Sequence, residues 1–346
     1  NGRVNRDVSG IGADHVNDID LNNVQQIEVI RGPSSIFYSN GTTGGIINVV
    51  DNTIARTDIL ESEFRIGGEA QTVNSGSSGE LSYQDNFGGL NFSLSYKDSN
   101  FDNYEIPFGS IIHEEEEGHE EEGHEEHEEN PKFLPNSDFS NKSQRVGVSK
   151  TGDWGYVGVS FRGIESLYGI PFHGEEEEHE EGEHEEERIL ATTDSEVVNL
   201  EGSYIFDNSL INKIDYYFAN TEYSLIESHA EEAGHEEEEE EGHDHEEGPT
   251  TFKNKAQEYG AIIDFSTDSL SQRVVMNMID EDVSIIGHEA FMKPSDNSEL
   301  SIGYYVSTDL DMFNFDLAIR HDRINRKGSV AHHEEEEEEG HGHEEH

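Results

Sequence analysis

The sequence predicts an all-β chain, a transmembrane antiparallel β-barrel of about eleven strands preceded by part of a small globular α+β unit. Three observations carry that prediction. Apolar and polar residues alternate with period 2 through most of the chain. Short and long connections between these stretches alternate as well. Hydrophobic residues make up only 32% of the 346, with 34 glycines, which is poor for a compact globule. It suits strands that need one apolar face each.

The elements run in order along the chain. Residues 24–31 read as a strand, Gly32-Pro33 as a turn, and Gly44-Gly45 lead into the apolar run 46–50. A continuous run of that kind predicts a strand buried on both faces. Beyond residue 61, Leu90, Phe92, Leu94 and Tyr96 alternate with Asn91, Ser93, Ser95 and Lys97. Val157, Val159 and Phe161 alternate with Gly158, Ser160 and Arg162, and Phe313, Phe315, Leu317 and Ile319 with Asn314, Asp316 and Ala318. Weaker versions lie at 64–70, 197–206, 214–223, 260–265 and 274–279. Each is roughly 9–12 residues, enough for a tilted strand to cross a bilayer.

Tight turns rich in Asp, Asn, Gly and Ser fall at 85–89, 151–153, 207–209, 267–269 and 307–309. The links 103–141, 167–191, 225–254 and 283–297, and the segment from about 325, are long. In an up-and-down meander this alternation puts every long link at one end of the sheet, the arrangement of an outer-membrane barrel. A soluble all-β protein with low-complexity inserts is the alternative.

Four runs of Glu, His and Gly occupy the long links, at 113–129, 175–187, 231–247 and 332–346. With the nearby His173, His229 and Glu227 they hold 16 of the 19 histidines and 41 of the 78 acidic residues. Of the formal charge of −57, only −16 remains when those acids are set aside. Such a field repels nucleic acid and concentrates cations, so no nucleic-acid partner is expected. There is no cysteine, so thiolate sites and disulfides are excluded and any metal is held by N and O ligands. Imidazole with carboxylate suits Zn²⁺ and its first-row neighbours. His113, His119, His124, His179, His184, His235, His243 and His245 are the candidate ligands in the runs. The plain reading of the runs is solvated low-complexity sequence without fixed geometry, which still allows many weak, interchangeable metal sites. No apolar stretch reaches the roughly 18 residues of a membrane helix. Asn1-Gly2-Arg3-Val4 lacks the features of a signal peptide. No nucleophile elbow or phosphate loop appears, and no enzyme is expected.

The stretch Ile27-Glu-Val-Ile-Arg31-Gly32-Pro33-Ser-Ser-Ile-Phe-Tyr38, followed by Gly44-Gly45-Ile-Ile-Asn48-Val-Val50, resembles the end of the plug domain of TonB-dependent outer-membrane receptors. Phe37 stands where that family has Leu, and Ser39 where it has Gly. Arg31 is expected to pair with barrel carboxylates, and the glycines to allow tight turns and close backbone approach. Within the family the chain resembles the zinc-uptake (ZnuD-like) branch. The residues are Asp14-His15, Asp102-Asn-Tyr104-Glu-Ile-Pro107, Leu134-Pro-Asn-Ser137, Tyr168-Gly-Ile-Pro171-Phe-His173 and Ile286-Gly-His288-Glu289-Ala-Phe291.

The resemblance implies a division into residues 1–55, the later part of a plug, and 56–346, the first half of a barrel of about 22 strands. The chain is accordingly expected to be a fragment, without the TonB box and the closing aromatic strand. The resemblance also implies that Asp14 and His15 stand at the outward apex of the plug, with Glu289 as a barrel-side ligand. His288 and His173 are further candidates beside them. An exposed His15 next to a turn-capping Asp14, and ordinary loop histidines at His288 and His173, are the plainer alternatives.

The expected function is import of zinc, as transported substrate rather than catalytic cofactor. It would be powered by the TonB-ExbB-ExbD complex, in a Gram-negative outer membrane with the His/Glu runs extracellular and the strands against lipid. A receptor for haem, a siderophore or another divalent metal such as Ni, Cu or Co is the first alternative. A non-transporting surface metal buffer and a cytosolic His-rich storage protein are the others.

Overall fold

The computed structural model describes residues 1–7, 15–17, 19, 24–38, 45–110, 132–171, 188–207, 210–230, 248–287, 290–310 and 312–330. Two strands, β1 (Val24–Ile30) and β2 (Ile46–Asp51), form an antiparallel pair, and a 3-10 turn, Pro33–Phe37, lies between them. Eleven more strands form one antiparallel sheet. They are β3 (Glu63–Gln71), β4 (Gly76–Phe87), β5 (Leu90–Phe101), β6 (Phe139–Gly152), β7 (Gly155–Gly169) and β8 (Arg188–Ile205), then β9 (Lys213–Ala230), β10 (Thr250–Asp264), β11 (Ser271–Ile286), β12 (Ser295–Leu310) and β13 (Phe313–Lys327). Each pairs only with its neighbours in sequence, the up-and-down order the sequence predicts. The all-β reading and the count of eleven strands hold.

Register shows why the alternation looks as it does. Tyr83, Leu94, Val146, Phe161 and Val198 stand directly opposite one another on successive strands, as do Leu200, Phe218, Tyr259, Met278 and Leu300. Most of them are exposed, so one face of the sheet carries a continuous apolar row. The opposite face buries polar side chains, among them Asn91, Ser93, Ser95, Arg145, Ser149, Glu201 and Glu258. Apolar outside and polar inside is what a barrel in lipid requires.

The strands β4 and β5 have 12 residues, within the range the sequence predicts, whereas β6 to β13 have 14 to 18 and exceed it. Backbone pairing continues past the apolar band, where outward positions turn polar at Glu165, Asp194, Glu196 and Glu222 and hydropathy no longer alternates. The last short turn also moves. Residues 307–309 lie inside β12, and pairing runs on to Leu310 opposite Phe313, leaving a two-residue link. The strand ends flanking residues 111–131, 172–187 and 231–247 all lie at one end of the sheet, as does the end of β13.

Residues 53–59 seat the N-terminal unit on the inner face of β5 to β7. Ser93 Oγ donates to the Thr53 carbonyl, Ser149 Oγ to the Ala55 carbonyl at 2.6 Å, and the Ile59 amide to Asn91 Oδ1 at 2.9 Å. Ile54 and Ala55 are buried there. Arg145 of β6 holds Asp51 at 3.1 Å. Burial alone would raise the Asp51 carboxyl, but the Arg145 guanidinium and the Thr53 amide outweigh it and hold it below its ordinary value. The expectation that residues 46–50 are buried on both faces fails. Ile47 is 72% exposed, beside Val29 and Ile27, because no described element covers that face of the pair.

Gly147 is where the two units touch most closely, since a Cβ there would collide with the Thr53 carbonyl oxygen. Gly147→Val should therefore destabilise the folded barrel by about 1–3 kcal/mol or lift residues 53–59 from the wall. Denaturant titration with limited proteolysis of that segment checks this, and wild-type behaviour in both would contradict it.

Candidate metal centre

Residues 1–7 run along the inner wall, and their cationic side chains set the height of the chain. Arg3 pairs with Glu201 of β8 at 2.8 Å, and Arg56 approaches the same carboxylate at 3.3 Å. Arg6 pairs with Glu281 of β11 at 2.9 Å and reaches Glu258 of β10 at 3.8 Å. Register orders these partners: Glu201 lies opposite Tyr217, Glu258 opposite Ala219, and Glu281 opposite Ala256, which lies opposite Thr221. The N-terminal residues thus climb the wall toward the end from which the long links leave.

His15 comes next in that climb. Its Nε2 lies 4.0 Å from Glu227 Oε2, six residues beyond Thr221 on β9. The two side chains are only 5% and 9% exposed. Tyr168 Oη of β7 is 3.4 Å from His15 Nδ1 and also accepts from the Val16 amide at 3.3 Å. The imidazole meets the Phe252 ring edge-on at 5.5 Å between centroids. Tyr168 and Phe252 belong to a buried cluster with Ile170, Ile189, Ala191, Tyr223, Leu225 and Ile285. Alternation explains the wall side of this site. Tyr168, Ala191, Glu227 and Thr250 form one inward-facing row across β7 to β10.

Chemically, the pair has one imidazole nitrogen and one carboxylate oxygen facing each other in a shielded pocket. Their separation exceeds a hydrogen bond. At 4.0 Å it is also wider than the roughly 3.3 Å that two ligands of tetrahedral Zn²⁺ with bonds near 2.0–2.1 Å adopt, so the side chains would have to draw together to share an ion. Among the described residues no group of three His, Asp or Glu side chains forms a complete site. Of the candidates read from sequence, only His15 lies in the described residues. Asp14, His173, His288 and Glu289 fall outside them, as do His113, His119, His124, His179, His184, His235, His243 and His245. Ala290, next to Glu289, packs against the Tyr168–Phe252 cluster. Gly287 reaches Thr250 so closely that a Cβ would lie 2.5 Å from its Cα. Gly287 and Ala290, the described residues on either side of His288 and Glu289, therefore both lie beside the row that holds Glu227.

Arg31 does not pair with barrel carboxylates as expected. It is exposed at the end of β1 and forms no ion pair among the described residues, because Arg3, Arg6 and Arg56 take that role. The glycine expectation holds. Gly32 adopts φ +76°, and Gly45, at φ +124°, would place a Cβ 2.8 Å from the Ile30 carbonyl. Glu227 was missed because its composition merges it with the adjoining run. The available signal was parity, since it continues the inward series Tyr223, Leu225.

An apolar-faced antiparallel sheet with a separate N-terminal unit docked on its polar wall defines a plugged membrane β-barrel, of which this chain forms part. Residues 1–46 match the sequence model of the TonB-dependent receptor plug domain. The fold is similar to that of the FrpB iron transporter from Neisseria meningitidis. The F3-3 variant gives a TM-score of 0.63 at 13% identity, covering 89% of this chain and 49% of that one. The F5-1 variant gives 0.64 at 13% identity, covering 91% and 50%, and its apoprotein form gives 0.61 at 13%, covering 90% and 49%. The chain spans about half the length of the solved structures it matches.

Tyr168→Phe removes the oxygen beside His15 Nδ1. It should lower zinc affinity about tenfold in protein whose Glu/His runs are replaced by short Gly-Ser links. Competition titration against a chromophoric chelator measures this, and an unchanged affinity would remove Tyr168 from the site.

Proposed function

We propose that this chain belongs to a TonB-dependent outer-membrane receptor that imports zinc, with Asp14, His15 and Glu227 as the core of its plug–barrel site. One observation carries the reading. His15, on the segment that matches the plug family, is buried against a carboxylate of the barrel wall, so the ligands come from the two parts that must move relative to each other. Glu289 and His288 are proposed as completing ligands from the adjoining link, and His173 as a ligand at the mouth.

The remaining steps are matters of chemistry. Runs holding dozens of carboxylates and histidines draw divalent cations by steering and rapid exchange, and pass them inward. The enclosed pocket then selects by ligand type. Imidazole with carboxylate favours Zn²⁺ and its neighbours over hard cations that prefer oxygen alone. Force transmitted from TonB-ExbB-ExbD shifts the plug, parting His15 from Glu227 and releasing the ion. The apolar outer row faces lipid, and the long links face the exterior. The protein works as a transporter and not as an enzyme.

A second reading, uptake of iron or an iron chelate, is favoured by the likeness to the iron transporter structures. Uptake of radiolabelled zinc by cells expressing the full-length protein separates the two. Zinc uptake should require TonB and fall at least about tenfold in His15→Ala and Glu227→Gln. It should also weaken as pH drops below about 6.5, where imidazole protonates and loses its lone pair. Iron uptake that survives in both variants with no zinc uptake in the wild type would favour the second reading.

A further inference from the structure

We propose that the pocket filled by the Arg6 guanidinium is a second cation site, a transit station that takes the transported divalent metal when residues 1–7 leave the wall. The proposal rests on the zinc-uptake reading and concerns a different part of the molecule. Glu258 and Glu281 both face Arg6, at 3.8 and 2.9 Å. Their side chains are 6% and 14% exposed. Around them, Tyr217 Oη donates to Glu258 Oε1 at 2.7 Å, Asn254 Nδ2 to Glu281 Oε1 at 3.0 Å, and Asn297 Nδ2 to Glu281 Oε2 at 3.3 Å.

Two features mark this as a place built for an exchangeable cation. Asn254 is more than nine-tenths buried, its amide lies against Glu281, and its Oδ1 has no hydrogen-bond partner. A buried acceptor oxygen left unfilled on a side chain that touches Glu281 leaves oxygen-ligand capacity unused at this place. Arg6 itself fits poorly. Its Nε and Nη2 are buried without hydrogen bonds, so one charge-assisted bond and one longer ion pair hold it. A guanidinium that belonged there permanently would be expected to use more of its five donors.

Charge balance selects the replacement. Two buried carboxylates facing one arginine keep a local excess of negative charge, and withdrawal of Arg6 would leave both uncompensated at high cost. A divalent cation restores neutrality where a monovalent one does not. The register of β9 to β11 places this pocket further into the barrel than His15 and Glu227. It offers oxygen ligands only, which hold Zn²⁺ less tightly than a set containing imidazole. Transfer from a tighter outer site to this looser one is uphill, so it is driven by the plug movement that opens both sites, and the looser site then gives the ion up readily.

Crystals of the full-length Arg6→Met protein, soaked in zinc and measured at the zinc absorption edge, test this. An anomalous peak between Glu258 and Glu281 is expected, absent from wild type and from Arg6→Met/Glu281→Gln. Folded Arg6→Met protein without that peak would overturn the proposal. A peak at His15 in the same crystals reports separately on the outer site. Should Arg6→Met fail to fold, Glu281→Gln with Arg6 intact is expected to slow zinc uptake by cells about tenfold. Uptake at the wild-type rate would overturn the proposal by that route.

Discussion

The inner wall carries three carboxylates, Glu201, Glu258 and Glu281, that the alternation of the strands forces inward and that water barely reaches. Ions in that position need counter-ions, because desolvation costs several kcal/mol per charge and only close pairing offsets it. Arg3, Arg6 and Arg56 supply the pairing from the N-terminal part of the chain. This constraint fixes where residues 1–7 run, and so the height at which His15 emerges.

The same pairing gives the assembly its division of labour. Ser93 and Ser149 donate to residues 53–59 and Asn91 accepts from them, anchoring the segment to one sector of the wall. The arginine pairs hold residues 3 and 6 to another, two to six strands away in the sheet. Backbone anchors in a tight-packed seam resist displacement, as the close approach at Gly147 illustrates. Ion pairs with unused donors, as at Arg6, give way more readily. A plug fixed at one side and latched at the other is suited to partial movement, with the His15–Glu227 contact on the latched side.

Much of this was legible in the sequence, and the reasons differ by element. Period-2 alternation on β5, β7 and β13 read directly because their outward residues are apolar and their inward ones polar. The ends of β8 and β9 did not, since Asp194, Glu196 and Glu222 make both faces polar while the backbone ladder continues. The motif around Arg31 marked the plug correctly yet misassigned its ion pairs. Nothing local distinguishes Arg31 from Arg3 or Arg6; only docking decides which faces a carboxylate. His15 was found by its neighbour Asp14 and by resemblance. Glu227 was hidden, because a single Glu next to a Glu-rich run carries no compositional contrast and is revealed only by strand parity. The runs that dominate the composition occupy the long links, and the His15–Glu227 contact lies outside them.

Zinc import through a plug–barrel site requires His15 and Glu227 to bind the same ion, and a double-mutant cycle on zinc affinity tests that most directly. His15→Ala, Glu227→Gln and the double variant would be titrated in full-length protein with the Glu/His runs replaced by neutral links. If both side chains hold one ion, the losses are strongly non-additive, and the double variant binds about as weakly as the worse single one. Losses that add in free energy would mean that the two residues act independently, and would contradict the plug–barrel site.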